Sequence, residues 1–317
     1  MAVESRFPRL DRYVTFGRTL PYVWAHGVRK QFRAAPPARA STAALTDPEF
    51  GRVVHDIYSD MFLRGYQQVT AYRVDRATGL VAVLFAVFIC AFDDEFEQRR
   101  ASGATSHADE IIAAPAVDEV WRTIGAYLRA TGRDDAVRQY IWHDFLGSGF
   151  DRYRTDVEAV ERGAGLPATV RVVEFDSGEA LRTAYHLIRI FNGHPYHEGC
   201  AEQFRRLGLA GKYLDDMADY TADVTSGSPN LLDAVAGLWP DELAAARSAV
   251  AEGEVVTKRW WRERCPRTYE RYLREIAEHY DHVRAPALRL PLDIYSALLR
   301  TRRFWTVSTV RASQRAG

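Results

Sequence analysis

The sequence predicts an all-α fold, and three observations carry that expectation. From Asp47 onward, apolar residues recur at helical spacing. Capping residues and prolines open these stretches, and turn clusters such as "GAGLPA", "NGHP" and "SGSPN" separate them. Alternation of strand type is confined to "ATVRVVEF", Ala168–Phe175, too short a run to found a sheet.

In chain order, residues 1–45 are basic and rich in Ala and Pro, as in "RKQFRAAPPARAS". They read as an irregular lead-in with one helix around Tyr22–Phe32. Residues 46–312 read as one helical domain. "DPEF" at Asp47 is a cap followed by proline in the first turn, the usual opening of a helix. "GLVAVLFAVFICAF", Gly79–Phe92, reads as a helix buried on nearly all sides. Further helices are expected at Val117–Ala130, Asp134–Phe145, Asp151–Glu161, Ser177–Phe191, His197–Leu207, Gly211–Ser226, Asp241–Glu252, Thr268–Ala285 and Pro291–Thr309.

Composition removes several function classes. Lys plus Arg and Asp plus Glu both number 42 in the 317 residues, so no global charge draws the chain to nucleic acid or an anionic membrane. "RTYERYLREIAEHYDH", Arg267–His282, alternates bases with aromatics, but interleaved acids mark it as an amphipathic helix instead. The 14-residue apolar run is shorter than the ~20 residues a bilayer requires, so no membrane insertion is expected. Three scattered cysteines and the absence of a visible secretory h-region fit a reducing cytoplasm.

The chemistry resides in two acidic stretches. "DDEFE", Asp93–Glu97, follows the apolar run, and Asp93, Asp94 and Glu97 share one side of a helix. In "YLDDMADYTADVTSGSPNLL", Asp215, Asp219 and Asp223 recur every four residues and form one stripe. Like charges at that spacing destabilise a bare helix, and Lys212 is the nearby base. Shared counterions would relieve both stripes. Magnesium suits them because it is hard and oxygen-seeking, and it keeps positions open for phosphate oxygens. A third group, His194, His197 and Cys200 in "HPYHEGC", has zinc-type donors but no obvious fourth ligand.

"DDEFE" resembles the first aspartate-rich motif of class I terpene synthases and all-α isoprenyl diphosphate synthases. "DDMADYTAD" falls in the register of the second terpene-synthase motif, NDxxSxxxE, with Asp215, Asp219 and Asp223 in the Asn, Ser and Glu places. Gly227 and Asn230 also sit where such synthases often carry Gly and Asn. The resemblance spans about Asp47 to Trp305. It departs from the pattern in the all-aspartate second motif, which is similar to that of chain-elongating and squalene-synthase-like enzymes, and in Ala222, where many cyclases have Lys. No GGKxxRP-type signature for isopentenyl diphosphate is present.

The resemblance implies a helical bundle around a central cavity and a cluster of about three magnesium ions on Asp93, Asp94, Glu97, Asp215, Asp219 and Asp223. It implies ionisation of one linear allylic diphosphate, geranylgeranyl ahead of farnesyl, to a cyclised terpene. The alternative is a prenyltransferase joining two isoprenoid diphosphates. Arg171 is the expected diphosphate sensor, with Arg182 in reserve, and Arg302 and Arg303 are expected to clamp the same group by bidentate hydrogen bonds. Asp93, Asp94, Arg171 and Asp219 thus form the expected catalytic set. Ala86, Phe88, Ile89 and Cys90, one to two turns before Asp93, are expected to line the prenyl pocket. Phe85 and Phe92 are read as core. A homodimer is possible for such enzymes, whose relatives are often dimers.

Overall fold

The computed structural model describes residues 60–75, 77–104, 106–133, 136–254, 256–289 and 292. Every regular element among them is helical. The expected lead-in over 1–45 and the expected helix at Pro291–Thr309 lie outside the described residues, apart from Leu292.

Helices α1 (Asp60–Thr70), α2 (Thr78–Ser102), α3 (Ala108–Ile112) and α4 (Pro115–Ala130) come first. Proline opens α4, where its missing N–H costs no bond. α5 (Ala136–Gln139) runs through a π-helical stretch, Tyr140–Phe150, into α6 (Asp151–Glu161). α7 (Leu166–Val173) runs through a second π-helical turn, Glu174–Glu179, into α8 (Ala180–Asn192). The strand-like "ATVRVVEF" is therefore helical: it lies in α7 and the π turn, and its β-branched residues pack as a buried helical stripe at Thr169, Val172 and Val173. The chain closes through α9 (Glu198–Ser226), α10 (Leu231–Ala236), α11 (Pro240–Ala251), α12 (Lys258–Arg264) and α13 (Pro266–His282).

Two apolar clusters hold these helices. One gathers α1, α9 to α13 and the face of α8 that carries Tyr185 and Ile188. The other gathers α2, α4, the first π-helical stretch and the opposite face of α8 with Ala184, Leu187 and Phe191. α8 is thus the wall between them, and α9 packs along α8, α13 and the π turn Glu174–Glu179.

Two sequence expectations change here. α2 does not end at its acids; it continues to Ser102, where Gly103 at φ +70 closes it, its N–H donating to the Arg100 carbonyl and that of Ala104 to the Arg99 carbonyl. Arg99 and Arg100 then occupy the last turn, where positive charge complements the helix dipole. α9 is also one helix of 29 residues, where two were expected with a break at Gly208 to Gly211. Gly208 serves close packing: a Cβ there would stand 2.0 Å from the Ser177 carbonyl oxygen. The absence of a side chain lets the π turn lie directly on α9.

Candidate functional site

α2, the π turn and α9 bring acids from three parts of the chain into one electrostatic neighbourhood. Asp93 is exposed by surface area, yet enough protein surrounds its carboxyl to desolvate it. Burial raises its carboxyl to about 7, helped by the charges of Asp176, Glu97 and Asp94 and opposed by Lys212. Asp176, in the π turn, is held above the ordinary carboxylate range by burial and by Asp215, again opposed by Lys212. Asp176 therefore links the two acidic motifs, 122 residues apart in sequence between Asp93 and Asp215.

The second stripe is organised from α10. Asn230 caps that helix, its Oδ1 accepting from the N–H groups of Leu232 and Asp233 at 2.9 and 3.2 Å. Its Nδ2 donates to the Asp216 carbonyl and to Asp223 Oδ2, both at 2.8 Å. Gly227, at φ +75, ends α9 and turns the chain back so that Asn230 can reach. Burial raises Asp223 to about 7; the Asn230 bond opposes this, while Asp216 and Asp219 add to it. Asp216 is fully buried, accepting from Leu231 N–H at 2.7 Å and pairing with Lys212 at 3.0 Å. Asp215 and Asp219 are half-buried on the same helix.

The other expected residues divide as follows. Asp94 is half-buried beside Asp93. Glu97 acts on Asp93 by charge, but its own carboxylate pairs with Arg100, which also bonds Glu161 at 2.8 Å. Ala86 and Ile89 are half-buried and Cys90 is exposed, so this stripe of α2 stays accessible below Asp93. Phe88 does not share it. Its ring is wholly buried against Trp121 of α4, at 5.3 Å, and belongs with Phe85 and Phe92 in the core. Helical rotation explains the difference, since Phe88 lies ~160° from Cys90 around the axis.

Arg171 departs most from expectation. It is exposed, and its Nε and Nη2 bond Asp156 Oδ1 at 2.8 and 2.7 Å. This places it away from the acids, on the α6 side of α7. Arg182, the reserve, bonds Tyr196 and Glu198. Arg302 and Arg303 lie outside the described residues. His194 meets the Tyr66 hydroxyl at 3.0 Å, His197 the Tyr72 hydroxyl at 3.3 Å, and the Cys200 thiol donates to the Val69 carbonyl at 3.2 Å.

Sequence reading missed Asp176 and Tyr153 as members of the neighbourhood; it named Lys212 as the base beside the second stripe, but not its action on Asp93 and Asp176. Tyr153 of α6 packs on Phe96 and Phe175, and its phenol is raised by burial and then by Asp176 and Asp93. The available signal for Asp176 was a glycine two residues later, inside a helical pattern.

Donor chemistry is uniform: every acid in the group offers hard oxygen, and the carboxyls of Asp93, Asp176 and Asp223 are raised first by burial and then by neighbouring carboxylates. That fits a divalent cation. Among the described residues, no three His, Cys, Asp or Glu side chains converge on one point as ligands. No protein-family model and no curated protein matches the chain.

Proposed function

We propose that this chain is a magnesium-dependent class I terpene synthase that ionises a linear allylic prenyl diphosphate, geranylgeranyl ahead of farnesyl. One observation supports the reading: Asp176 of the π turn raises Asp93 of the first motif and is itself raised by Asp215 of the second, so this turn stands within electrostatic reach of both aspartate stretches. Bound there, magnesium would supply Lewis-acid polarisation of diphosphate oxygens. Asp93, Asp94 and Asp176 from one side, and Asp215, Asp219 and Asp223 from the other, would hold it. Asn230 orients Asp223 for that role, and Gly227 makes the turn that places Asn230.

The accessible stripe of Ala86, Ile89 and Cys90 supplies an apolar surface below Asp93 for a prenyl chain. Arg302 and Arg303 are retained as proposed diphosphate ligands. Arg171, engaged with Asp156, is not. The all-aspartate second motif favours a second reading, a prenyltransferase joining two isoprenoid diphosphates.

One assay separates them. Purified protein is incubated with magnesium and geranyl, farnesyl or geranylgeranyl diphosphate, with and without isopentenyl diphosphate. Hydrocarbon or alcohol from a single substrate supports the synthase. Longer diphosphates that require isopentenyl diphosphate support the transferase. Unchanged substrates and no diphosphate release refute both.

A further inference from the structure

We propose that Arg129 and Arg138 form a binding site for a soluble phosphate-class oxyanion, at the surface between α4 and α5 and apart from the acidic motifs. The observation behind it is a convergence of two positive groups. Gly125 of α4 is buried, and both arginine side chains reach over it. A Cβ at Gly125 would stand 3.0 Å from Arg138 Nη1 and 3.3 Å from Arg129 Nη1, so these two nitrogens lie within 6.3 Å of each other. Among the described residues, neither guanidinium pairs with a carboxylate. Asp118, on the same helix, pairs with Arg122 at 2.7 Å.

Local structure explains how the two meet. Trp121, Gly125 and Arg129 follow at four-residue steps and share one stripe of α4. Arg138 comes from α5 and lies over the Trp121 ring, its Cζ 4.6 Å from the centroid. Its Nε is covered by protein and meets no acceptor. Stacking, together with the missing side chain at Gly125, therefore holds Arg138 beside a group that repels it. The dipole of α4 favours Arg129 in the last turn, which accounts for that charge but not for the approach of a second cation. An oxyanion between the two accounts for both. Each guanidinium presents N–H donors in a fixed planar fork, and a tetrahedral anion can accept from two such forks at once, at ~2.8 Å per bond. A membrane surface is a poorer match, because Asp118 and Glu119 stand on the same helix.

The test uses the full chain in EDTA, so that no divalent cation takes part and failure here leaves the proposed function untouched. Inorganic phosphate is titrated at constant ionic strength and followed by phosphorus nuclear magnetic resonance. Wild type is expected to bind one phosphate per chain, saturably. Arg129→Gln should weaken that binding at least about tenfold, the worth of one charge-assisted hydrogen bond, while circular dichroism stays helical. Arg138→Gln should weaken it as much; if the lost stacking unfolds that variant, the exposed Arg129 decides alone. Arg122→Gln should bind as wild type does, and an equal loss there would refute the site as a diffuse effect of surface charge. No saturable binding by wild type overturns the proposal. That is the result expected if Asp134 or Asp135, outside the described residues, already supplies the counter-charge. Equal affinity in wild type and Arg129→Gln overturns it too, since the phosphate would then sit elsewhere.

Discussion

Magnesium binding should release protons, in a number fixed by Asp93 and Asp223. Both carboxyls sit at about 7 in the metal-free chain, chiefly through burial. At pH 7 each is therefore about half protonated, and a cation that binds their carboxylate forms expels about one proton from the pair. The same arithmetic gives about 1.8 protons at pH 6 and about 0.2 at pH 8. Apparent affinity then rises about 100-fold between pH 6 and pH 8, tenfold for each group. Asp176, also raised, adds to this and does not subtract. Isothermal titration with magnesium in two buffers of different protonation enthalpy counts the protons directly. In the metal-free chain the sign reverses. The folded state favours the protonated acids, so stability is greatest below the ordinary carboxylate pKa and declines as pH rises through about 7. Equal proton release at pH 6 and pH 8, or a flat affinity across that range, would refute the placement of these acids in a desolvated common space.

Gly208→Ala should cost about 3 kcal/mol in urea unfolding, because its Cβ meets the Ser177 carbonyl at 2.0 Å and backbone cannot step aside like a side chain. Gly211→Ala, three residues on with nothing within 4 Å, should instead gain up to about 1 kcal/mol from helix propensity. Equal effects at the two positions would show that the π turn does not press on α9. Asp93→Ala and Asp219→Ala should each abolish diphosphate release from prenyl diphosphate while circular dichroism stays helical; retained turnover in both would remove the metal assignment. Glu242→Ala should destabilise by about 3 kcal/mol. Buried in α11, Glu242 accepts from Thr268 N–H and Oγ1 at 2.8 and 2.7 Å and from Arg267 N–H and Nε at 3.1 and 2.9 Å, so it caps α13 from outside. These bonds hold its carboxyl below the ordinary value against burial, so its contribution is full above that value and is lost as pH falls through the depressed one. Glu242→Gln should therefore flatten the acid limb of the stability curve, and an unchanged limb would count against the cap.

Helix positions were legible where one period and one cap decide them. The expected Asp151–Glu161 matches α6, and the expected Val117–Ala130 differs from α4 only in its opening turn. Where a tertiary contact decides, local rules misread the same residues. Gly208 reads as a helix breaker in sequence, yet it is the position that allows α9 to run unbroken beneath the π turn. The acidic motifs were legible because their spacing is internal to one helix each. Lys212, on the same helix as the second motif, was legible as its nearby base; Asp176 was not, since it becomes part of the group only through packing between elements. Arg171 shows the converse: the expected distance before the second motif was met in sequence, but α7 turns that side chain toward Asp156. A motif thus predicts which face of its own helix carries charge, and the approach of another helix decides what that charge meets. Here that approach depends on a glycine carbonyl contact, so the geometry of the candidate site and the stability of the α9–π turn junction should fail together.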